Sequence, residues 1–370
     1  MSFPSILLIA FIAIVSIQIF YYFAFLLNFG LKKPNTPSHE SPPLSVIICA
    51  KNEAENLRVN LPLILNQEYP NFEVVLVNDS SSDETLEVME AFDKSHKKIK
   101  LVDVKSNETF WGNKKYALTL AIKASKNDYL IFTDADCQPN SNQWLKHISS
   151  HFSNEKSIVL GYGAYAKKHL SFLNKLIRYE TVMTALQYFS YANVGLPYMG
   201  VGRNMAYRKD LFFNNNGYST HINLRSGDDD LFINEVAHKS NTAICFTTPS
   251  FTISEPKTKF SDWILQKRRH ISTSKHYKLK HKLLLGLFFF SQLLFWVLAP
   301  LALLFSPYWP WILVTVILRF AIQLTSFALA SKKLGEMNLV FLSPLLELFL
   351  ISTQLSIFIV NLISKPKHWK

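Results

Sequence analysis

Four long apolar runs interrupt this chain, and short alternating segments fill the interval between the first and the second. The first run, "ILLIAFIAIVSIQIFYYFAFLL" (Ile6–Leu27), carries no charge and exceeds the roughly 20 residues that cross the hydrocarbon core of a bilayer. It has no basic leader and no small-residue cleavage site, so it reads as a retained anchor rather than a cleaved signal. Three more runs lie in the C-terminal third: Leu283–Phe305, Trp311–Ala330 and Leu339–Ile363. Bounded runs of this length predict membrane-spanning helices rather than core helices of a large globular fold. The last contains Pro344, where it is either re-entrant or broken, so two or three C-terminal spans are expected.

Behind the proline-rich tether Leu31–Pro43 the pattern changes. "LSVIICA" (Leu44–Ala50) is a short apolar run rich in β-branched residues and reads as a buried strand. A helix follows from Glu53, with Leu57, Leu61 and Leu65 on one face. Next come the strand "EVVLVND" (Glu73–Asp79) and a helix preceded by serines placed to cap it. The strand Ile99–Val104, the helix Lys114–Ser125 and the strand Tyr129–Ala135 complete the series. Strands alternating with helices predict an α/β domain with a mostly parallel sheet covered on both faces.

In such sheets ligands bind outside the carboxyl ends of the strands, and three acids fall there: Asp79, Asp134 and Asp136. Residues i and i+2 of a strand point to one side, so Asp134 and Asp136 in "TDADCQP" can present their oxygens together. Unrelieved, the two charges repel. A hard divalent cation relieves them, because Mg²⁺ binds one or two carboxylates together with substrate phosphates.

Composition and charge then narrow the setting. The chain has 370 residues, 49% hydrophobic and only 18% charged, with a net charge of +12. Most of that excess sits in Pro256–Lys282, where nine Lys or Arg stand against one Asp. Lys32 and Lys33 follow the first span. Basic flanks mark the cytoplasmic side, which makes the middle of the chain cytoplasmic, and the cluster can touch anionic lipid. The basic tail "KPKHWK" conflicts with four spans, since it would then lie outside. The basic residues adjoin a span and carry no nucleic-acid motif, which excludes a nucleic-acid binder. Three scattered cysteines, Cys49, Cys137 and Cys245, form neither a disulfide ladder nor a zinc pattern. Arg319 and Glu347 sit inside predicted spans, where each either pairs with the other or faces a polar path.

Six segments in order resemble the family 2 glycosyltransferases of GT-A fold, over about Ser45 to Tyr277. They are "SVIICAKNEAENL", "VLVNDSSSDET" (similar to D-D-G-S-x-D), "TDADCQP" (D-x-D), "GVGRNMAYR" (G-x-N-x-A-x-R), "SGDDDLF" (E-D) and "QKRRH" (Q-x-x-R-W). The resemblance implies a GT-A, Rossmann-like cytoplasmic domain flanked by transmembrane helices. It divides the chain into an anchor (1–30), a linker (31–43), a glycosyltransferase domain (44–256), a basic juxtamembrane segment (257–282) and C-terminal spans (283–370). It further implies that Asp79 and Glu53 hold the nucleotide-sugar, with Lys114 (or its rival Lys115) on phosphate. Asp136 would ligate Mg²⁺ or Mn²⁺ directly, with Asp134 helping to hold metal and nucleotide-sugar through ribose or metal-bound water. Asp229 would be the catalytic base, with Asp228 the alternative register, and Gln266 and Arg269 would face the departing diphosphate.

The implied reaction is inverting, from a nucleotide-sugar (UDP-linked in most members) to a lipid-linked or other membrane-proximal saccharide acceptor of the cell envelope. His270 departs from the expected Trp, which ranks single addition above a processive polysaccharide synthase. A catalytically inactive GT-A scaffold is the other alternative. The stretch Ser171–Gly195 carries apolar residues at helical spacing with Lys175 and Arg178, and reads as an amphipathic helix near the membrane surface or, nearly as readily, as a plain core helix.

Overall fold

The computed structural model describes residues 3–34, 41–105, 114–224 and 226–364. The tail "KPKHWK" and Gly112, which precedes the expected phosphate-facing lysine, lie outside them. In chain order the first elements are α1 (Phe3–Phe25), β1 (Leu44–Ala50), α2 (Ala54–Leu65), β2 (Phe72–Asp79), α3 (Thr85–Ser95), β3 (Ile99–Val104), α4 (Lys114–Ala124) and β4 (Tyr129–Asp134). Then follow β5 (Cys137–Pro139), α5 (Trp144–Ser149), β6 (Ile158–Leu160), β7 (Gly163–Tyr165), α6 (Phe172–Asn193), β8 (Met205–Arg208), α7 (Lys209–Asn214), α8 (Asp230–Val236), β9 (Thr242–Ile244) and β10 (Thr252–Ser254). The closing helices are α9 (Phe260–Thr273), α10 (Leu279–Phe305), α11 (Trp309–Leu334) and α12 (Ser343–Ile363).

The chain forms two compact units. One comprises Pro34–Lys167 and Ala192–Pro256; the other comprises Met1–Lys33, Lys168–Tyr191 and Lys257–Lys370. The first holds a seven-stranded sheet in the order β3-β2-β1-β4-β8-β6-β9. Strands β3, β2, β1 and β4 are parallel, β8 runs antiparallel to both neighbours, and β6 pairs with β9 in parallel. Strand β1 has neighbours on both edges and helices over both faces. That is why its run is apolar without alternation, with Leu44, Val46 and Ile48 each at most 1% exposed. Burying each such side chain contributes about 1.5–3 kcal/mol. Leu57 and Leu61 of α2 join the same core, with Leu65 packed at its edge.

Two local expectations need correction. Asp83, not a serine, accepts the Thr85 backbone N–H at the start of α3 (3.0 Å). The serines instead knit two loops together: Ser82 N–H donates to Asn52 Oδ1 (2.8 Å), and Asn52 N–H donates to Ser81 Oγ (3.1 Å). Strand β4 ends at Asp134 rather than Ala135, so the second aspartate of the pair lies on a turn. A second, three-stranded sheet, β5-β10-β7, begins directly after that turn.

The other unit is helical. Four helical segments, Pro4–Gly30, Leu279–Phe305, Trp309–Leu334 and Ser343–Ile363, are long and apolar enough to cross a membrane. Their outward faces carry large apolar side chains, among them Phe20 (70% exposed), Trp311 (73%) and Leu304 (76%), a belt that water would not tolerate but lipid would. Pro344 does not break the last helix. It occupies the first turn, where a missing N–H costs nothing, while Met337–Leu339 forms a separate 3₁₀ turn.

Arg319 and Glu347 pair with each other, at 2.7 Å for Nη2–Oε1 and 3.1 Å for Nη1–Oε2. Tyr22 Oη and Gln292 Nε2 each donate to Glu347 at 2.8 Å, and Arg319 Nη2 donates to Gln18 Oε1 at 3.0 Å. One fully buried network therefore joins all four long helices.

Of its two readings, helix α6 follows the core one. Leu176, Val182, Leu186 and Phe189 are all buried, and Arg178 is 2% exposed. The Arg178 guanidinium grips the buried carboxylate of Glu336, with Nε–Oε1 at 3.1 Å, and donates to Asn338 Oδ1 at 2.8 Å. A paired arginine on a helix buried on nearly every turn belongs to a core element, not to a lipid-facing one.

Candidate active site

The parallel strands bring their carboxyl ends to one edge of the sheet, and the acids singled out from the sequence collect there. Cys49 of β1 stands opposite Asp134 of β4 in register, and Asp79 closes β2 next door. Asp79 is 7% exposed, and its carboxylate takes no hydrogen bond among the described residues. Burial raises its pKa, against the opposing pull of Lys51 and Lys114. Glu53 precedes α2. Its backbone N–H donates to Thr85 Oγ1 (2.8 Å), and its carboxylate accepts from Asn56 Nδ2 (2.5 Å).

The Asp134–Asp136 turn is held at both ends, by β4 in the large sheet and by β5 in the small one. Ligand atoms of Asp134, Asp136 and Cys137 lie within 4.8 Å of one another. Burial first, and then the charge of Asp134, push the Asp136 carboxyl up. Cys137 is a neutral thiol: burial and the two aspartates push it well above its ordinary value, and it bonds Ser254 Oγ at 3.0 Å. Two carboxylate oxygens are then the available donors, a hard set that fits Mg²⁺ or Mn²⁺ completed by phosphate.

Arg203 braces this turn. Nη1 donates to Ala164 O (3.1 Å) and Ser254 Oγ (3.0 Å), Nη2 donates to Gly163 O (2.9 Å), and the guanidinium stacks on Tyr165. Its neighbour Asn204 donates to Tyr162 O and Ser250 O and accepts from Trp144 Nε1. Neither residue received a role from sequence reasoning, although both lie in the quoted segment "GVGRNMAYR". Matching a motif gives the position and not the partners.

Lys114 opens α4 as expected, but its ammonium holds carboxylates: Asp134 Oδ1 at 2.8 Å and Asp228 Oδ2 at 3.3 Å. Lys115 points the other way. It is fully buried and donates to the carbonyls of His221 (2.6 Å) and Leu224 (3.0 Å), clasping the loop ahead of the acidic triple.

That triple depends on Gly227, whose φ of +98° is unfavourable for other residues and whose added Cβ would meet Leu231 Cδ1 at 2.5 Å. The next two acids part company electrostatically. Burial pushes Asp228 up, but the Lys114 ammonium, a backbone hydrogen bond and the charge of Lys115 together outweigh it and hold the carboxyl below its usual range. Burial, then the like charges of Asp228 and Asp230, push Asp229 up to about 7. Asp229 caps α8, accepting from Asp230 N–H (2.8 Å) and from Gly202 N–H (2.8 Å). A recess lined by Cys49, Lys114, Thr133, Asp134, Gly202 and Asp228, among others, lies at the strand ends. Thr133 Oγ1 is buried there without a hydrogen-bond partner among the described residues.

Gln266 and Arg269 lie on α9, in the helical unit and not in the unit that carries the acids. The adjoining Arg268 donates to Asn361 Oδ1 (2.9 Å) and Ser364 O (2.8 Å), and Lys267 pairs with Glu180 at 2.7 Å.

Residues 45–213 match the family model described as Glycosyl transferase family 2. The match takes in somewhat less than half of the chain. A poly-β-1,6-N-acetyl-D-glucosamine synthase of Staphylococcus epidermidis is 36% identical over 93 residues, 25% of this chain and 21% of that protein. An uncharacterized glycosyltransferase of Haemophilus influenzae is 30% identical over 120 residues, 32% of this chain and 35% of its own length. The aligned part thus spans only about a fifth to a third of these relatives. A mannosyltransferase of Pyrobaculum calidifontis, PcManGT, solved with GDP-Man and Mn²⁺, superimposes with a TM-score of 0.58. It is 17% identical, over 93% of this chain and 98% of that one. The unit that carries the seven-stranded sheet therefore has the GT-A fold, a mostly parallel sheet whose strand ends form the acidic edge.

Proposed function

We propose that this chain is a membrane-bound, inverting glycosyltransferase that moves a sugar from a nucleotide-sugar to a hydroxyl of a lipid-linked or membrane-proximal acceptor. The observation that carries the reading is the division of labour among the acids at the strand ends. Asp134 and Asp136 converge as a cation-binding pair, while Asp228 and Asp229, neighbours in sequence, have protonation equilibria pushed in opposite directions. Such a split is how a site obtains a working base.

Asp229 is the base. The acceptor oxygen attacks the anomeric carbon, the bond from that carbon to the diphosphate oxygen breaks, and its electron pair leaves with the nucleotide. Asp229 takes the hydroxyl proton, a step worth about 10²–10⁴-fold. Gly202 and Asp230 N–H groups fix the carboxylate for that transfer. Asp228 is the weaker candidate because it is already neutralised by Lys114. A divalent cation held by Asp134 and Asp136 would offset charge on the departing diphosphate. Asp79 and Glu53 receive the nucleoside, and Lys114 serves the phosphates. The GDP-Man and Mn²⁺ carried by the mannosyltransferase of like fold support a nucleotide-sugar with a metal. The apolar helices and basic flanks support a cytoplasmic domain on a multi-pass membrane protein.

The named activity of the staphylococcal relative favours a second reading, a polysaccharide synthase; His270 in place of Trp opposes it. Membranes containing the full chain, given a panel of nucleotide-sugars with Mn²⁺ or Mg²⁺, should release nucleotide and label lipid extracts with one donor. No release with any donor, or full activity in excess chelator, overturns the proposal. Label in long polymer replaces single addition with the second reading.

A further inference from the structure

Lys114 does two things that a lysine reserved for phosphate does not do. Its ammonium lies 2.8 Å from Asp134 Oδ1, an oxygen of the candidate cation pair, and 3.3 Å from Asp228 Oδ2, beside the base. The three side chains are partly shielded, at 35%, 31% and 14% exposure, so these contacts are stronger than surface ion pairs. The ammonium sits where positive charge is most wanted, between the D-x-D carboxylates and the acidic triple. Among the described residues, by contrast, no lysine pairs directly with Asp136.

A divalent ion on Asp134 would stand about 2.0–2.2 Å from a carboxylate oxygen. An ammonium retained on the same carboxylate would then lie within roughly 5 Å of that ion, where a charge of +2 and a charge of +1 repel strongly in a partly dehydrated site. A diphosphate removes the conflict. Its oxygens would accept hydrogen bonds from Lys114 while giving electron pairs to the metal, so the ammonium could leave Asp134 without becoming an unpaired charge.

We propose that Lys114 is a built-in counter-cation that keeps divalent metal off Asp134 until a nucleoside diphosphate group arrives to draw the ammonium away. Metal and nucleotide then bind cooperatively, and by linkage each raises the affinity of the other by the same factor. The inference rests on the reading of Asp134 and Asp136 as metal ligands given above.

The test is a binding measurement on the full chain in detergent. Free Mn²⁺ is followed by its electron paramagnetic resonance signal, with and without UDP or GDP, in the wild type and in Lys114→Met, Lys114→Gln and Lys114→Arg. The neutral variants should bind Mn²⁺ alone at least about tenfold more tightly than the wild type, and the gain in Mn²⁺ affinity on adding nucleotide should shrink by a similar factor. Lys114→Arg, which keeps the charge, should behave as the wild type and shows that the effect is electrostatic. Unchanged or weaker Mn²⁺ binding in both neutral variants overturns the counter-cation while leaving the metal site standing. Absence of Mn²⁺ binding in every form, with either nucleotide, overturns the metal reading and this inference together.

Discussion

The pH response of Asp229 offers the sharpest quantitative check. Its carboxyl titrates at about 7 in the folded chain and near 3.9 when unfolded. Below pH 4 both states carry the proton and the group contributes nothing to stability. Between these values the folded state holds one proton more than the unfolded state, so stability falls as pH rises, and above 7 the penalty is constant. Three units at 1.36 kcal/mol each give about 4 kcal/mol, an upper bound because solvent still reaches the residue. Asp229→Asn removes the titration, so its stability relative to wild type should rise by up to about 3 kcal/mol between pH 4.5 and 7.5. This slope is separate from any fixed loss of the Gly202 and Asp230 hydrogen bonds, which shifts the curve without tilting it. Thermal melts of both proteins in detergent across this range measure it. The same ionisation should appear in the rate: kcat/KM rises about tenfold per pH unit below 7 and levels off above it, while Asp229→Asn is inactive. Parallel stability curves, or a variant that turns over near the wild-type rate, would refute the assignment.

Gly227→Ala should cost about 2–3 kcal/mol, from a left-handed backbone and a Cβ forced against Leu231, visible as a lowered melting temperature and weakened transfer. Asn204→Ala should cost a similar amount, because Trp144 Nε1 and the carbonyls of Tyr162 and Ser250 lose their common partner; melts with nucleotide present separate this from a binding defect. Arg319→Met alone should destabilise the helical unit by about 3–5 kcal/mol, since it strands a buried carboxylate, whereas Arg319→Met with Glu347→Leu should recover most of it. Equal melting temperatures for the single and double variants would contradict the pairing.

The parts that were legible in the sequence share a physical cause. Strand β1 falls on the expected residues and β2 starts one residue early, because strands covered on both faces leave unbroken apolar runs; the edge strand β3 also falls on its expected residues, although exposed Lys100 and Asp103 break its run. The four apolar helices were legible for the same reason, with lipid-compatible length as the ruler. Strands β5 to β10, of three or four residues each, were not seen: segments so short have no period to detect, and long-range pairing alone holds them. At the acidic edge, position was readable and partnership was not. Asp79, Asp134 and Asp136 could be placed at strand ends from local pattern, yet the bond from Lys114 to Asp228 joins residues more than a hundred positions apart. Arg178 misled for a related reason. A charged residue on an apolar helix suggests a wet or lipid-facing side unless its buried partner, here Glu336, is known.

The Asp134–Asp136 turn is a hinge pin between two hydrogen-bonded ladders, with β4 on one side and β5, paired to β10, on the other. An ion seated there, as proposed above, would act as a rivet: it would tie the small sheet to the large one, and part of its binding free energy would become resistance to prying them apart. Amide exchange along Thr252–Ser254, remote from the ligand oxygens in sequence, should therefore slow on loading.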